Sequence, residues 1–309
     1  MTDLLPGLVV AAHGRHCLVE SPNGERCLCH PRGKKNAVVV GDRVGWQTTG
    51  DEGSIERVEA RRNLFYRQDE MRTKSFAANL DQVLVLVAAD PEFSESQLSR
   101  ALIAAQAEHI DALIVLNKSD LKPAFDRAWE RLAPYRRMGC QVLPLCLRPA
   151  DGGDVPTDLV ELQARLRGRT TLVLGPSGVG KSTLVNRLVP EARAQTGEIS
   201  RALNSGKHTT TSTTWYWVDK AGATALIDSP GFQEFGLHHI EPMQLAHLMP
   251  DLQAALGECR FYNCTHLHEP GCGVIAQVQS PPGMNGTISD NRYRIYRELF
   301  EELSNKRRY

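Results

Sequence analysis

Short apolar runs alternate with helical patterns through the middle of the chain. Residues 82–87 and 111–116 are largely continuous runs of apolar residues, typical of strands buried on both faces. Between them, Ser94 and Gln97 have the spacing of a capping box that opens a helix rich in Ala and Leu. A strand, a helix and a second strand in this order predict a parallel sheet.

A third apolar run, residues 170–174, ends in a glycine-rich segment and is followed by a helical stretch that stops before Pro190. The segment reads Gly175-Pro176-Ser177-Gly178-Val179-Gly180-Lys181-Ser182, and Thr183 follows it. A strand, this loop and a helix form the phosphate-binding motif of nucleotide hydrolases. The glycines let backbone N–H groups approach phosphate oxygens. We expect Lys181 to reach the β- and γ-phosphates and the Ser182 hydroxyl to bind Mg²⁺.

A base-reading motif comes earlier in the chain. Asn117-Lys118-Ser119-Asp120 follows the second strand, at the end of the strand where α/β sheets bind ligands. The Asp120 carboxylate can accept from N1–H and N2–H₂ of guanine, a pair that adenine lacks. Taken alone, the tetrapeptide could also be a helix-capping turn. Beside a phosphate loop it predicts a GTPase, and its position before that loop predicts a circular permutation.

Two further segments have the features of nucleotide switches. Residues 206–211 read Gly-Lys-His-Thr-Thr-Thr, and a threonine there can close on Mg²⁺ and the γ-phosphate; an ordinary Thr-rich strand start is the alternative. A predicted strand at 223–227 delivers Asp228-Ser229-Pro230-Gly231. Asp228 would hold Mg²⁺ through water, and the Gly231 N–H would sense the γ-phosphate.

The catalytic residue is less clearly marked. Phe232 stands where many GTPases have a glutamine that positions water, and Gln233 comes one position late. Slow unassisted hydrolysis is therefore expected. His208 is a candidate substitute, because an imidazole can position or deprotonate water at neutral pH. An exposed loop histidine without a catalytic role is the alternative.

Eight cysteines and no N-terminal apolar signal indicate a reducing cytosol. Four soft ligands fall within fourteen residues: Cys259, Cys264, His266 and Cys272. Three thiolates and an imidazole complete a tetrahedral Zn²⁺ shell, so this site is expected to be structural. His268 is the rival imidazole. Cys27, Cys29 and His30 are interpreted as hairpin residues, and Cys17, Cys140 and Cys146 as small buried apolar residues.

The two ends of the chain predict separate modules. Residues 1–66 lack helical periodicity and have short apolar stretches at 7–11, 17–20, 37–40 and 44–47, which favours a small antiparallel barrel of OB type. Its basic loop at 31–35 could contact phosphates or be a solvated turn.

A GTPase domain would span 67–237 and a helical zinc-binding domain 238–309. In the latter, Ser289 or Asp290 can cap a helix whose apolar positions are Ile295, Leu299 and Leu303.

Charge and hydropathy narrow the range of partners. The 36 basic and 36 acidic residues exclude a globally basic nucleic-acid coat, so RNA binding must come from local patches. No run of eighteen apolar residues is present, and no membrane partner is expected.

From barrel to cysteine cluster, these motifs resemble the small-subunit-dependent ribosomal GTPase family RsgA, also called YjeQ. The resemblance implies a bacterial cytoplasmic GTPase that acts in late maturation of the 30S subunit and is stimulated by it. It further implies that the barrel and the zinc domain touch 16S rRNA, that Thr210 is the Mg²⁺-sensing threonine and that His208 is catalytic. A monomer is the default for a factor that docks on a larger particle. Residues 143–147, Leu-Pro-Leu-Cys-Leu, depart from the guanine-supporting loop usual in the family.

Overall fold

A computed structural model describes residues 4–14, 16–32, 38–70, 72–148, 157–193, 213–231, 234–278 and 288–305. The first five strands are β1 (Leu5–His13), β2 (His16–Glu20), β3 (Arg26–Pro31), β4 (Arg43–Thr49) and β5 (Glu52–Val58). They pair in the order β1-β2-β3-β5-β4, and β4 returns to β1. The β3–β5 pair is parallel and the other four pairs are antiparallel. This closed barrel confirms the OB-type prediction, and the parallel β3–β5 pair corrects the expectation that all its strands are antiparallel.

Two details of the predicted barrel were wrong. The expected strand at residues 37–40 has, in its described part, only an isolated bridge between Val40 and Ala77. The strands β3 and β5 were not anticipated, because arginine, glycine and serine interrupt their apolar patterns. In the closed barrel each of these two strands has a hydrogen-bonded neighbour on both sides, and this pairing overrides their weak intrinsic preference for strand.

The nucleotide half is built on parallel strands. A separate hairpin, β6 (Leu64–Gln68) and β7 (Thr73–Ala78), precedes it. The strands are β8 (Gln82–Ala88), β9 (Asp111–Asn117), β10 (Gln141–Leu145), β11 (Thr170–Leu174), β12 (Thr213–Asp219) and β13 (Thr224–Asp228). Their order is β10-β9-β8-β11-β13-β12, and β12 alone among them runs antiparallel to its neighbour. The phosphate-loop strand β11 therefore lies in the middle of this sheet.

Helices cover both faces of the parallel sheet. They are α1 (Glu95–Ala107), α2 (Lys122–Arg131), α3 (Ala133–Arg137), α4 (Thr157–Leu166) and α5 (Lys181–Leu188). Alternate residues of β8 enter two different cores: Val83, Val85 and Val87 pack with α1, and Leu84 and Leu86 pack with α4 and α5. The Ser94 hydroxyl caps α1 by accepting from the Gln97 N–H at 3.3 Å, which is one half of the predicted capping box. The reciprocal bond is absent, because Gln97 Oε1 has no hydrogen-bond partner among the described residues.

The C-terminal region is helical. It contains 3₁₀ turns at 242–248 and 256–258, together with α6 (Pro250–Gln253), α7 (Gly273–Val278) and α8 (Asp290–Asn305). Ser289 caps α8, since its hydroxyl accepts from the Arg292 N–H at 3.3 Å. Ile295, Leu299 and Leu303 are buried in the core that α1 shares, which confirms the predicted apolar stripe.

The barrel joins the nucleotide sheet through backbone pairing and one carboxylate. Ala11 and Ala12 of β1 pair with Thr214 and Thr213 of β12, so a single eleven-stranded sheet crosses the junction. The buried Glu20 carboxylate accepts from Trp217 Nε1 at 2.9 Å and from Lys220 Nζ at 2.8 Å in β12 and the following turn. It also pairs with Arg26 of β3 at 3.0 Å.

The C-terminal helix contacts α1 of the nucleotide half through a buried cation. Arg292 of α8 is 2% exposed and forms two bonds, of 2.8 and 2.9 Å, to the Asp251 carboxylate. Its third donor reaches the Ser99 hydroxyl of α1 at 2.7 Å. Ser99 in turn lies 3.0 Å from the Tyr135 hydroxyl of α3. The network therefore ties the C-terminal region to two helices of the nucleotide half.

Candidate nucleotide and metal sites

The phosphate loop has the tight backbone that its glycines permit. A Cβ at Gly175 would lie 2.3 Å from the Leu86 carbonyl oxygen of β8, so no other residue fits there without a shift of backbone. Gly180 has a φ of +106°, and a Cβ there would lie 2.5 Å from the Asn117 amide. The loop is therefore pressed against both β8 and the base-reading motif. Helix α5 begins at Lys181, and its first N–H groups face the loop.

Lys181 is folded over the loop from the start of α5. Its ammonium donates to the carbonyls of Gly175 and Pro176 at 2.7 and 2.8 Å. Burial lowers the pKa of Lys181, and the nearby Asp228 carboxylate opposes that shift. The side chain is thus a partly desolvated cation above the amides that would face phosphate.

Asn117 connects the base-reading motif to the phosphate loop. Its buried side-chain amide donates to the Val179 carbonyl at 2.8 Å, although 62 residues separate the two in the chain. Lys118 follows with a φ of +68° and donates from Nζ to the Asp90 carbonyl. The two motifs, inverted in sequence, therefore form one continuous edge at the carboxyl ends of β9 and β11.

The Asp120 carboxylate lies beside the residues that follow β10. Parallel pairing sets Leu145 opposite Asn117, and the Ser119 N–H donates to the Leu145 carbonyl at 3.1 Å. Arg148 pairs with Asp120 at 3.0 Å, and the Cys146 thiol lies 3.6 Å from the other carboxylate oxygen.

Sequence reasoning missed this arrangement and was wrong about Cys146. The thiol is half-buried and contacts a carboxylate instead of sitting in an apolar core. The Asp158 carboxylate of α4 accepts from the Cys146 N–H at 2.6 Å and fixes the turn. The sequence did offer a signal for this arrangement. The turn follows the apolar strand β10, and the neighbouring strand β9 carries the base-reading motif.

Asp228 ends β13 beside the phosphate loop. It is 7% exposed, and burial raises its pKa to about 6 although the Lys181 ammonium pulls it down. The Ser229 hydroxyl donates to the Val173 carbonyl at 2.7 Å and holds the turn against β11. A Cβ at Gly231 would lie 3.2 Å from Lys181 Nζ, so this glycine faces the lysine. A divalent cation next to Asp228 would favour the charged carboxylate, and the site therefore fits Mg²⁺.

Several predicted residues lie outside the described part of the chain. These are the segment 206–211 with His208 and Thr210, the pair Phe232 and Gln233, and residues 33–35 of the basic barrel loop. The roles assigned to them stay predictions.

The four expected zinc ligands come together in the C-terminal region. The Cys259, Cys264 and Cys272 sulfurs and a ring nitrogen of His266 all lie within 4.8 Å of one another. Two of the sulfurs, those of Cys259 and Cys272, are 3.5 and 3.4 Å from His266 Nδ1. Bonds of about 2.3 Å to sulfur and 2.0 Å to nitrogen in a tetrahedron place the sulfur and the nitrogen about 3.5 Å apart. The donor set and spacing fit zinc, and His266 rather than His268 belongs to the cluster.

Glu269 and helix α8 hold the cysteine loop in shape. The Glu269 carboxylate accepts from the Thr265 and Leu267 N–H groups at 2.9 and 3.2 Å. Burial would raise its pKa, but the hydrogen bonds from Thr265 outweigh that effect and lower it to about 2. The Tyr293 and Tyr296 hydroxyls of α8 donate to the carbonyls of His266 and Thr265 at 2.8 and 2.7 Å. Sequence reasoning did not single out these supporting residues.

The fold and the joined motifs define a circularly permuted P-loop GTPase with an N-terminal OB-type barrel. The sequence model of the RsgA GTPase family matches residues 58–238. This chain therefore belongs to the RsgA GTPase family and is a GTPase.

Similar proteins cover nearly the whole chain. The small ribosomal subunit biogenesis GTPase RsgA of Variovorax paradoxus strain S110 is 69% identical over 301 residues, which is 97% of this chain and 93% of that protein. The protein of the same name from Burkholderia pseudomallei strain K96243 is 50% identical over 301 residues, covering 96% and 92%.

Two solved structures share the architecture. YjeQ from Thermotoga maritima superposes with a TM-score of 0.72 at 30% identity, over 98% of this chain and 99% of that one. YloQ, described as a circularly permuted GTPase, has a TM-score of 0.70 at 25% identity, over 100% and 98%. Among the described residues, no helix is long and apolar enough to span a bilayer.

Proposed function

We propose that this chain hydrolyses GTP as a late maturation factor of the small ribosomal subunit, and that the subunit stimulates its hydrolysis. The observation that carries the enzymatic part is the bond from Asn117 to Val179, which joins a guanine-type carboxylate motif to a phosphate loop. The biological part is supported by relatives named small ribosomal subunit biogenesis GTPase at 69% and 50% identity.

In the proposed site, the base and the phosphates contact different strands. Asp120 accepts from the guanine edge, Asn117 fixes the base against the loop, and the Lys118 stem lies along the ring. The triphosphate is held by the loop amides and the Lys181 ammonium. The residues assigned to GTP are Asn117, Lys118, Ser119, Asp120, Gly175, Pro176, Ser177, Gly178, Val179, Gly180, Lys181, Ser182, Thr183, Asp228 and Gly231.

Magnesium ligands are assigned as Ser182, Thr210 and Asp228. When bound, Mg²⁺ neutralises charge that develops between the β- and γ-phosphates. Lys181 adds a partly desolvated positive charge at the same phosphates, where it is worth more than in water. His208 would position the attacking water, since Phe232 cannot. Basal hydrolysis is accordingly slow, and the small subunit is proposed to accelerate it.

The terminal modules are assigned to RNA recognition. We assign residues 1–66 and 238–309 to contacts with 16S rRNA, on either side of a GTPase domain at 67–237. A Zn²⁺ ion bound by Cys259, Cys264, His266 and Cys272 would have a structural role, because four protein ligands leave no open position. The protein is proposed to act as a cytoplasmic monomer.

Turnover in the presence of ribosomal subunits tests the proposal. GTP hydrolysis should be slow alone, strongly accelerated by 30S subunits and unaffected by 50S subunits, with ATP turned over poorly. Lys181→Ala should abolish nucleotide binding or turnover, and His208→Ala should lose the 30S-stimulated rate while keeping GTP affinity. Equal rates with and without 30S would contradict the ribosomal role, and a fully stimulated His208→Ala protein would contradict the role of that histidine.

Metal analysis tests the zinc site. Cys264→Ala should lose bound zinc and destabilise the C-terminal region, because structural zinc binding contributes folding free energy. Substitution of the buried but remote Cys17 in the barrel is the matched control and should retain one zinc per chain. Stoichiometric zinc in the Cys264→Ala protein would contradict the ligand assignment.

A further inference from the structure

We propose that Arg148 competes with the guanine base for the Asp120 carboxylate and so weakens nucleotide binding. The inference rests on the proposed function, because it takes Asp120 as the residue that reads the base. It concerns a residue that neither the phosphate loop nor the base-reading tetrapeptide contains.

Both oxygens of Asp120 already have partners. Arg148 Nη1 lies 3.0 Å from Oδ2, and the Cys146 sulfur lies 3.6 Å from Oδ1. Both partners come from the turn directly after β10, which parallel pairing places beside the base-reading motif. Because Asp158 holds the Cys146 N–H at 2.6 Å, this turn is fixed in place independently of any nucleotide.

Guanine and the Arg148 side chain offer Asp120 similar hydrogen-bond donors. Guanine presents N1–H and N2–H₂ side by side, on a carbon that bears three nitrogens, which is a guanidine unit. The arginine side chain ends in a guanidinium with the same fork of donors, suited to a carboxylate. Arg148 donates to Asp120 through one nitrogen, at the Oδ2 oxygen, so the guanine ring must displace it or share the carboxylate with it.

The exposures of the two side chains indicate how strong the competition is. Arg148 is 75% exposed and Asp120 25% exposed, so water can replace either partner when the pair opens. An exposed ion pair of this kind changes an equilibrium constant by at most about fivefold. Arg148 thus lowers affinity modestly and favours release of bound nucleotide without closing the site.

Equilibrium titration with a fluorescent GDP analogue tests this. Arg148→Ala should bind GDP about two- to fivefold more tightly than the unmodified chain. Arg148→Lys should bind GDP much as the unmodified chain does, since Arg148 makes one bond to Asp120 and an ammonium can make it too. The gap between the unmodified chain and Arg148→Ala should narrow in molar salt, because screening weakens the competing pair. Arg294→Ala, which breaks an exposed ion pair with Glu298 on α8, is the matched control and should leave affinity unchanged.

A double-substitution cycle separates competition from a general effect on the loop. Asp120→Asn removes the charged carboxylate and should transfer preference to xanthosine diphosphate. In that background, Arg148→Ala should no longer alter nucleotide affinity, because the pair it removes is already absent. The same tightening with and without Asp120 would overturn the competition.

Two failures are distinguishable. A GDP-selective protein in which Arg148→Ala binds GDP no more tightly, or more weakly, would overturn the role of Arg148 alone. Equal binding of ADP and GDP by the unmodified chain would overturn the guanine site itself, and the competition with it.

Discussion

The barrel and the C-terminal helix are attached to the nucleotide half by different physical means. At the barrel, two residue pairs of backbone ladder and the Glu20 carboxylate make the connection, and the cations on Glu20 are 26% and 49% exposed. In the C-terminal region, Arg292 and Asp251 are both almost fully buried, and Arg292 also reaches α1 through its bond to Ser99. An exposed cation can be rehydrated when its partner is lost, whereas a buried one cannot. The C-terminal attachment should therefore respond far more strongly to a single substitution.

The largest effect is expected for the buried pair. Arg292→Ala should lower the free energy of unfolding by about 3–5 kcal/mol, because it leaves the Asp251 charge buried without a partner. Denaturant unfolding monitored by circular dichroism would measure it. Arg294→Ala, two positions along the same helix and 60% exposed, is the control and should cost less than about 0.5 kcal/mol. Equal small losses in the two variants would remove the contrast between the junctions.

A smaller effect is expected at the barrel. Glu20→Gln should cost about 1–2 kcal/mol, since it weakens the bonds from Trp217, Lys220 and Arg26 without leaving a buried cation. Denaturant unfolding monitored by circular dichroism would measure it, as for the buried pair. Glu52→Gln, which breaks an exposed pair with His30 in the same barrel, serves as the matched control. A loss as large as that of Arg292→Ala would mean that the two junctions are energetically alike.

The smallest effect is a dependence on pH. Burial alone would raise the pKa of Glu20, but hydrogen bonds from Lys220, Trp217 and Arg26 outweigh it and lower the pKa. A lowered carboxyl pKa adds stability that is present above the unfolded value of about 4.5 and is lost as pH falls through the folded value. The stability difference between the unmodified chain and Glu20→Gln should thus persist at pH 7 and shrink below about 4.5. A difference that grew on acidification would contradict this sign.

The sequence predicted those parts of the site that depend on short-range spacing. The phosphate loop, the base-reading tetrapeptide and the four zinc ligands each lie within fourteen residues, and local geometry largely determines their chemistry. The partners of Asp120 could not be found in this way. Arg148 reaches Asp120 only because β10 pairs with β9, and Asp158 contacts the turn after β10 from helix α4.

The junctions were equally hidden from the sequence. Nothing about Glu20 or Arg292 in their local patterns distinguishes them from solvated charges, because their burial depends on packing between distant elements. The turn signals predicted a barrel, but they did not predict the strands β3 and β5. The residues of these two strands favour strand structure only weakly unless neighbouring strands pair with them.

The central position of β11 has a consequence for how the chain is made. All seven residues of β8 are buried in the finished sheet, between β9 and β11. During synthesis β9 follows β8 after about twenty residues, but β11 emerges more than eighty residues after β8. Synthesis proceeds at about 5–20 residues per second, so one backbone edge of the apolar strand β8 stays unpaired for on the order of ten seconds. Moving the base-reading motif ahead of the phosphate loop thus lengthens the interval in which the nascent chain can aggregate.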